Sequence, residues 1–525
     1  MTVVGGAFPL SLILFATIIL HHHTAALPLS VNSRWIIDDQ NGGERVKLSC
    51  INWVSHLESA VVEGLSKQPV DVISKKILAM GFNCVRLTYP LFLFTNDTLA
   101  STTVRKSLTK LGLPASVAGV QVNNPSIVDL SLINAFVKVV SNLNKNNIMI
   151  ILDNHISKPG WCCNDNDGNG FFGDLYFDPE VWVKGIKRVA TIFKGYTNVV
   201  GMSLRNELRG YRQNIETWYR YMQKGAEGVH SANPNVLVIL SGLSYDQDLS
   251  FLRDQHVTLS FTKKLVFEVH WYGFSDGDDW ITGNANQVCG RITDKMTNQA
   301  GFLLDQGHPL FVSWVAELDL DWALWTLVGS YYLREGVVGM EELYGVLDSN
   351  WYEPRNLSFL KKISPIQSSF QAPDGLLGVE QHKIIFHPCT GLCIQTHSMK
   401  LGPCSNAQAW EYTLQNMLIV KGTNYCLQAN GVDMQVKLGI MCTNISSKWE
   451  AISASKMHLS SKINNGIMVC LDIDYENTIV TNNCKCLNND KLCDPASQWF
   501  KVINSTSVEV AKSIILSDSM LDYSM

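Results

Sequence analysis

An α/β fold, a (β/α)8 or TIM barrel followed by a smaller all-β domain of three repeats, is what this 525-residue chain predicts. Three observations carry that expectation. Eight short apolar runs recur between residues 46 and 327, most of them separated by helix-length segments. Polar and aromatic residues gather at the same end of several runs. Beyond residue 371 a Cys-apolar-polar tripeptide occurs three times, each followed by a Trp.

The runs are 46–51, 84–87, 148–153, 199–204, 236–240, 265–269, 310–312 and 322–327. Most carry apolar or β-branched residues at consecutive positions, as strands buried on both faces do. The first alternates instead. Segments such as 179–196 and 213–230 show helical periodicity. Repeated strand–crossover–strand units predict a parallel sheet, and eight of them predict a closed barrel. The seventh crossover is short: only residues 314–321 lie between Ser313 and Trp322, where a parallel crossover with a helix needs roughly a dozen or more. Either strand seven or eight is displaced, or the chain has lost a segment here. Residues 315–319 read as the last turns of a helix whose beginning is missing.

The chain divides into a signal peptide (1–26), the barrel (27–350), a polar, Pro-containing linker (351–370), the repeat domain (371–510) and a tail (511–525). Residues 8–20 are an apolar run of signal-peptide length, too short to span a bilayer. Thr24-Ala25-Ala26 offers a small-residue cleavage site, although no Lys or Arg precedes the run. No second stretch is long and apolar enough for a membrane helix, so none is expected in the mature form. A formal net charge of −5 and the lack of a long basic run exclude a general nucleic-acid binder. Of 14 Cys, nine fall between 389 and 493. Such crowding in a secreted chain reads as disulfides, and the absence of paired C-x-x-C units argues against zinc. Sequons at Asn96, Asn356, Asn444 and Asn504 permit glycosylation. An extracellular or cell-wall glycoprotein is expected.

In the repeat domain the tripeptides are Cys393-Ile394-Gln395, Cys426-Leu427-Gln428 and Cys470-Leu471-Asp472. The following tryptophans are Trp410, Trp449 and Trp499. Repeats of this length, rich in short strands and turns, predict three units closing one core.

The polar residues sit where a barrel places chemistry, at the C-terminal ends of its strands. Arg86 lies in the second run, Asp153-Asn154-His155 ends the third, and Asn206-Glu207 follows the fourth. His270 and Tyr272 follow the sixth, and Trp325 sits in the eighth. Glycosidic cleavage passes through an oxocarbenium-like transition state, with a carboxyl protonating the leaving oxygen. Glu207 suits that role, and Asn206 suits a hydrogen bond to the sugar 2-OH. His270 and Tyr272 suit orientation of a nucleophile, Arg86 its ionisation, and Trp325 stacking on a sugar ring. The alternative for Glu207 is an ion pair with Arg205 or Arg209. A retaining enzyme needs a second carboxyl about 5–5.5 Å away. After the seventh run the chain reads Val312-Ser313-Trp314, with no acid at the tip. Glu317 is the nearest substitute, with Asp319 behind it, and both are expected on the surface. Acid/base and covalent chemistry need only carboxylates, so no cofactor and no metal are expected.

Five segments together resemble a known family. They are Cys84-Val85-Arg86-Leu87, Ile151-Leu152-Asp153-Asn154-His155, Leu204-Arg205-Asn206-Glu207-Leu208, Phe267-Glu268-Val269-His270-Trp271-Tyr272 and Asp321-Trp322-Ala323-Leu324-Trp325. They look like glycoside hydrolase family 5, the cellulase family of retaining barrel enzymes. The Cys/Trp repeats resemble a ricin B-type β-trefoil lectin domain, and the pairing is similar to plant secreted family 5 proteins. The resemblance implies Glu207 as acid/base, with Arg86, His155, Asn206, His270, Tyr272 and Trp325 in the active site. It implies a β-linked polysaccharide or oligosaccharide substrate and a glycan ligand for the lectin domain. It also implies a nucleophile Glu directly after strand seven, where this chain has Trp314. A secreted β-glycanase with impaired activity is therefore expected; a carbohydrate-binding protein without catalysis is the alternative.

Overall fold

Consecutive apolar positions demand cover on both faces, and all eight runs find it as parallel strands of one sheet. The computed structural model describes residues 28–312, 318–373, 380–463 and 466–506. The expected leader and tail, Ser313 and Glu317 lie outside these residues. The barrel strands are β1 (Ser49–Trp53), β2 (Cys84–Pro90), β3 (Met149–Ile156), β4 (Val199–Ser203), β5 (Leu237–Ser241), β6 (Leu265–Val269), β7 (Leu310–Val312) and β8 (Trp322–Leu324). Strands β1 to β7 pair in parallel in sequence order, and β8 returns to β1 through Trp322–Ser49, Ala323–Cys50 and Leu324–Ile51.

Inward side chains fill the barrel with an apolar plug that includes Cys50, Ile151, Val200, Ile239, Val266, Phe311 and Ala323. The Cys50–Cys84 disulfide ties β1 to β2 inside it. The alternating first run has a physical reason. Val46 and Leu48 precede β1 and join Leu29, Val31 and Ile36 of an N-terminal hairpin beneath the plug. Crossover helices follow the periodicity: α1 (Val70–Ala79), α2 (Leu132–Lys145), α3 (Pro179–Ile192), α4 (Ile215–Ala232) and α5 (Ala285–Met296). Asp178 caps α3 by accepting from the amides of Glu180 and Val181, and Pro179 occupies its first turn. At Gly225 of α4 an added Cβ would lie 2.4 Å from the Trp182 ring of α3, so glycine permits the close approach of these helices.

The short crossover leaves β7 and β8 in place and weakens their union. The two strands meet through a single bridge, in which the Val312 amide donates to the Asp321 carbonyl at 2.9 Å. Leu310 and Val312 face outward, as do Leu320, Trp322 and Leu324. Beside them lie cavities of about 200 Å³ and 480 Å³. The expected surface role of Asp319 is not found. Its side chain is fully buried, pairs with Arg45 and Lys47, and accepts the amides of Phe370 and Gln371. Two cations beneath the barrel, Arg45 and Lys47, hold this carboxylate inside.

The segment expected as a linker forms a helix, Leu357–Ile363, and a turn whose Ile366 carbonyl accepts from Trp322 Nε1 at 2.9 Å. A C-terminal sheet domain follows. Its strands run from His382–His387 to Lys501–Ser505 in an eight-stranded and a five-stranded sheet. Disulfides Cys393–Cys404, Cys426–Cys442, Cys470–Cys484 and Cys486–Cys493 brace it. Asn284, the cap of α5, donates to the carbonyls of Asn488 and Asp490 at 3.0 and 2.9 Å, and Asn286 accepts from Trp499 Nε1 at 2.9 Å. These contacts seat the domain against the barrel wall. Among the described residues no helix is long and apolar enough to cross a membrane.

Candidate active site

A buried charge network lies under the C-terminal rim of the barrel. Arg86 of β2 reaches Asp153 of β3 at 2.8 Å and Glu268 of β6 at 2.6 Å. It also donates to Asn52 and Asn206, each at 3.1 Å. Burial opposes its charge, yet the two carboxylates raise it above its ordinary value. Glu268 accepts further from Ser203 Oγ at 2.7 Å and meets His270 Nε2 at 2.8 Å. Burial would raise its carboxyl; Arg86, His270 and Ser203 hold it well below the usual carboxylate range. Burial dominates at Asp153 and raises it despite Arg86.

His270 joins this network to Glu207. Its Nδ1 lies 3.1 Å from the Glu207 carboxylate and 3.8 Å from Asp246. Burial would lower the imidazolium, but hydrogen bonds to Glu207 and Glu268 and the Asp246 charge outweigh it and raise His270 to about 10. Glu207 stands in the left-handed region, φ 47°. Its amide donates to Asp246 at 2.6 Å and that of Leu208 at 3.4 Å, which offsets a strain of about 1–3 kcal/mol. Burial pushes the Asp246 carboxyl up to about 8.

The ion-pair alternative for Glu207 is not what forms. Arg209 donates to the Glu207 backbone carbonyl and pairs with Asp167, while Arg205 is held by Ser157 and the Asn169 carbonyl. The carboxylate is left to His270 and the cavity. That cavity, about 410 Å³, is lined by Glu207, His155, His270, Tyr272, Trp325, Trp161, Cys162 and Cys163 among others. His155 stacks between His56 and Trp325, with centroids 3.9 and 5.6 Å away, and its Nδ1 is bound to Asp153 at 2.6 Å. Burial keeps both imidazoles well below their ordinary pKa. The structure thus brings Arg86, His155, Asn206, Glu207, His270, Tyr272 and Trp325 together around one cleft and the network beneath it.

Comparisons with known proteins bear on this arrangement. A model of the cellulase family, glycosyl hydrolase family 5, matches residues 62–322. A glycosyl hydrolase 5 family protein of Chamaecyparis obtusa is 39% identical over 551 residues, covering 95% of this chain and 98% of that protein. The chain belongs to glycoside hydrolase family 5. A major extracellular endoglucanase of Xanthomonas campestris pv. campestris is 26% identical over 220 residues, 41% of this chain and 40% of that one. An endocellulase of the archaeon Pyrococcus horikoshii shares the fold at TM-score 0.52 and 17% identity, covering 66% of this chain and 100% of its own. A variant of it in complex with cellotetraose matches at TM-score 0.50 and 16% identity, over 66% and 99%.

Asp246 and Glu268 went unassigned in the sequence. Glu268 was legible in principle: a carboxylate inside the apolar run Phe267-Glu268-Val269 must find a partner when buried. Asp246 stands five residues past β5 in a loop, and no local signal aims it at Glu207. Val312 is the last described residue of β7, so the expected nucleophile position and its weak substitute Glu317 lie outside the described residues. A small cavity of about 20 Å³, lined by Asn52, Arg86, Glu268, His270, Tyr272 and Val312 among others, adjoins that strand end.

Proposed function

We propose that this chain is a secreted glycoside hydrolase-fold protein that binds a β-linked polysaccharide of the cellulose, glucan or mannan type. Its retaining hydrolysis is impaired by loss of the nucleophile after β7. The observation that carries the binding and acid/base half is Glu207, held at the β4 tip by His270 and Asp246 and turned into an aromatic-walled cleft. In this reading Glu207 protonates the leaving oxygen and later serves as base. Asn206, fixed by Arg86, meets the sugar 2-OH, and Trp325 stacks on the ring.

The impaired step rests on Ser313-Trp314 standing where the acid is expected. The match to the Chamaecyparis protein spans 551 positions, more than the residues of this chain, which is compatible with a segment present there and missing here. Without the second carboxylate no covalent glycosyl-enzyme forms, which costs several orders of magnitude in rate while binding survives.

The C-terminal domain is read as a ricin B-type β-trefoil with a glycan ligand of its own. Three disulfides recur at matching places in the repeats, and Trp410 and Trp449 are buried in one core. Gln395, Gln428 and Asp472 are buried at equivalent positions.

Calorimetry against cello-, manno- and mixed-linkage oligosaccharides, beside a turnover panel on the polymers, tests the reading. Binding with turnover at the limit of detection is expected, and restoring an acid-bearing segment after Ser313 raises turnover. Absence of binding to every glycan sinks the proposal; rapid turnover by the unaltered chain sinks the impaired step. A purely carbohydrate-binding role is the second reading, favoured by the single bridge between β7 and β8, and zero turnover after the segment is restored would select it.

A further inference from the structure

Two adjacent cysteines form part of the cleft wall and have no role in the chemistry above. Cys162 and Cys163 follow β3, are joined as a disulfide, and line the cavity. The Asn206 amide lies 3.8 and 3.7 Å from their sulfurs. One ligand atom from each of Cys162, Cys163 and His155 fall within 4.8 Å of one another. His155 is oriented as metal-binding imidazoles are: its Nδ1 is bound to the Asp153 carboxylate at 2.6 Å, which leaves Nε2 for a ligand.

We propose that, once the Cys162–Cys163 disulfide is reduced, Cys162, Cys163 and His155 form a site for a soft divalent metal ion inside the cleft. A dithiol reductant supplies two electrons and two protons, the S–S bond breaks, and two thiols form. The ion then displaces both thiol protons to solvent and takes the lone pair of His155 Nε2. Two sulfurs and one imidazole with an open fourth position suit zinc or cadmium, and thiolates favour the softer ion. Secretion keeps the disulfide closed, so the site belongs to the reduced chain. An ion there sits against Asn206 and excludes a sugar. That last consequence rests on the proposed glycan cleft; metal binding does not.

Cadmium alone is the probe. The full chain, oxidised and reduced, is titrated with Cd2+ beside the reduced double variant Cys162→Ser/Cys163→Ser, following thiolate-to-cadmium charge-transfer absorption and calorimetric heat. Because the reductant can also open the other disulfides, the reduced double variant is the reference, and the reduced wild type should bind one equivalent more than it does. His155→Ala should weaken that equivalent by at least about tenfold. Equal stoichiometry in reduced wild type and double variant overturns the site. An unweakened His155→Ala overturns the imidazole ligand. Oligosaccharide calorimetry on the reduced, cadmium-loaded chain reads the second half: lost binding supports exclusion and unchanged binding overturns it. Absence of glycan binding by the oxidised chain is the separate failure of the cleft reading.

Discussion

Arg86→Met removes the cation that neutralises the barrel floor, and the structure sets the size of the effect. Arg86 is 2% exposed, and its partners Asp153 and Glu268 are 0% and 1% exposed. Water cannot reach the carboxylates when the guanidinium is gone. Breaking a buried pair by removing one partner costs about 3–5 kcal/mol. The lost hydrogen bonds to Asn52 and Asn206 fall in the same connected network and do not simply add. At about 2–4 °C per kcal/mol for a large domain, the barrel transition should fall by roughly 6–20 °C. Near-ultraviolet circular dichroism melts at pH 7 read it, because barrel tryptophans such as Trp53, Trp182 and Trp218 are buried. Adding Glu268→Gln to Arg86→Met removes one orphaned charge while keeping groups for Ser203 and His270. The double variant should recover at least about 1–2 kcal/mol. The pH dependence has a definite sign. The Glu268 carboxyl is depressed in the folded protein, so its stabilisation is present above its unfolded pKa and lost as pH falls through the folded value. The gap between wild type and Arg86→Met should therefore narrow as pH falls from 4.5 towards about 2. A loss under about 2 °C, or a double variant no better than the single, would refute the reasoning.

Three further outcomes follow from single features. Asp246, raised from 3.8 to about 8 by burial, contributes stability that is complete below pH 3.8 and lost as pH rises through 8. Asp246→Asn should flatten the wild-type decline in melting temperature across that window; parallel profiles would exclude Asp246 as its source. Trp325→Ala should weaken oligosaccharide binding by about 0.5–1.5 kcal/mol beyond the lost area without moving the melting temperature of the C-terminal domain; unchanged affinity would remove Trp325 from the sugar site. In hydrogen exchange, the amides of β7 and β8 should open before those of β2 and β3, because one bridge joins the first pair and seven residue pairs join the second; equal protection would contradict that order.

Most strands were legible because they are apolar on consecutive positions, a demand set by the barrel itself. The site was legible where a polar residue follows such a run, as at Asn206-Glu207 and His270. It was illegible where partners come from separate crossovers. Asp246 and Glu207 lie on different loops, and only the parallel pairing of β4 with β5 places one carboxylate beneath the other's amide. Asp319 failed for the opposite reason. Its sequence context is that of a solvated helix end, yet ion pairs with Arg45 and Lys47 hold it under the barrel. Local pattern reports what a segment would do with its usual connection, and here the connection is not usual.

The charge balance of the floor is complete without an acid from β7. Arg86 and His270 are cationic, and Glu268 is held ionised between them. Burial raises Asp153 and Asp246, so these two approach neutrality rather than adding full negative charges. Arg86 therefore has a committed partner without any acid from β7. A carboxylate arriving beside Val312 would enter near Arg86, His270 and Tyr272 and compete with Glu268 for the same guanidinium. It would be ionised by that cation and left less firmly paired than a structural acid, which is the condition of a nucleophile. Loss of such a group removes chemistry without orphaning a buried charge, because Glu268 already satisfies the cation. Under the proposed loss of the nucleophile the floor keeps its structure, and the cost falls on the outer wall, where a single bridge joins β7 to β8.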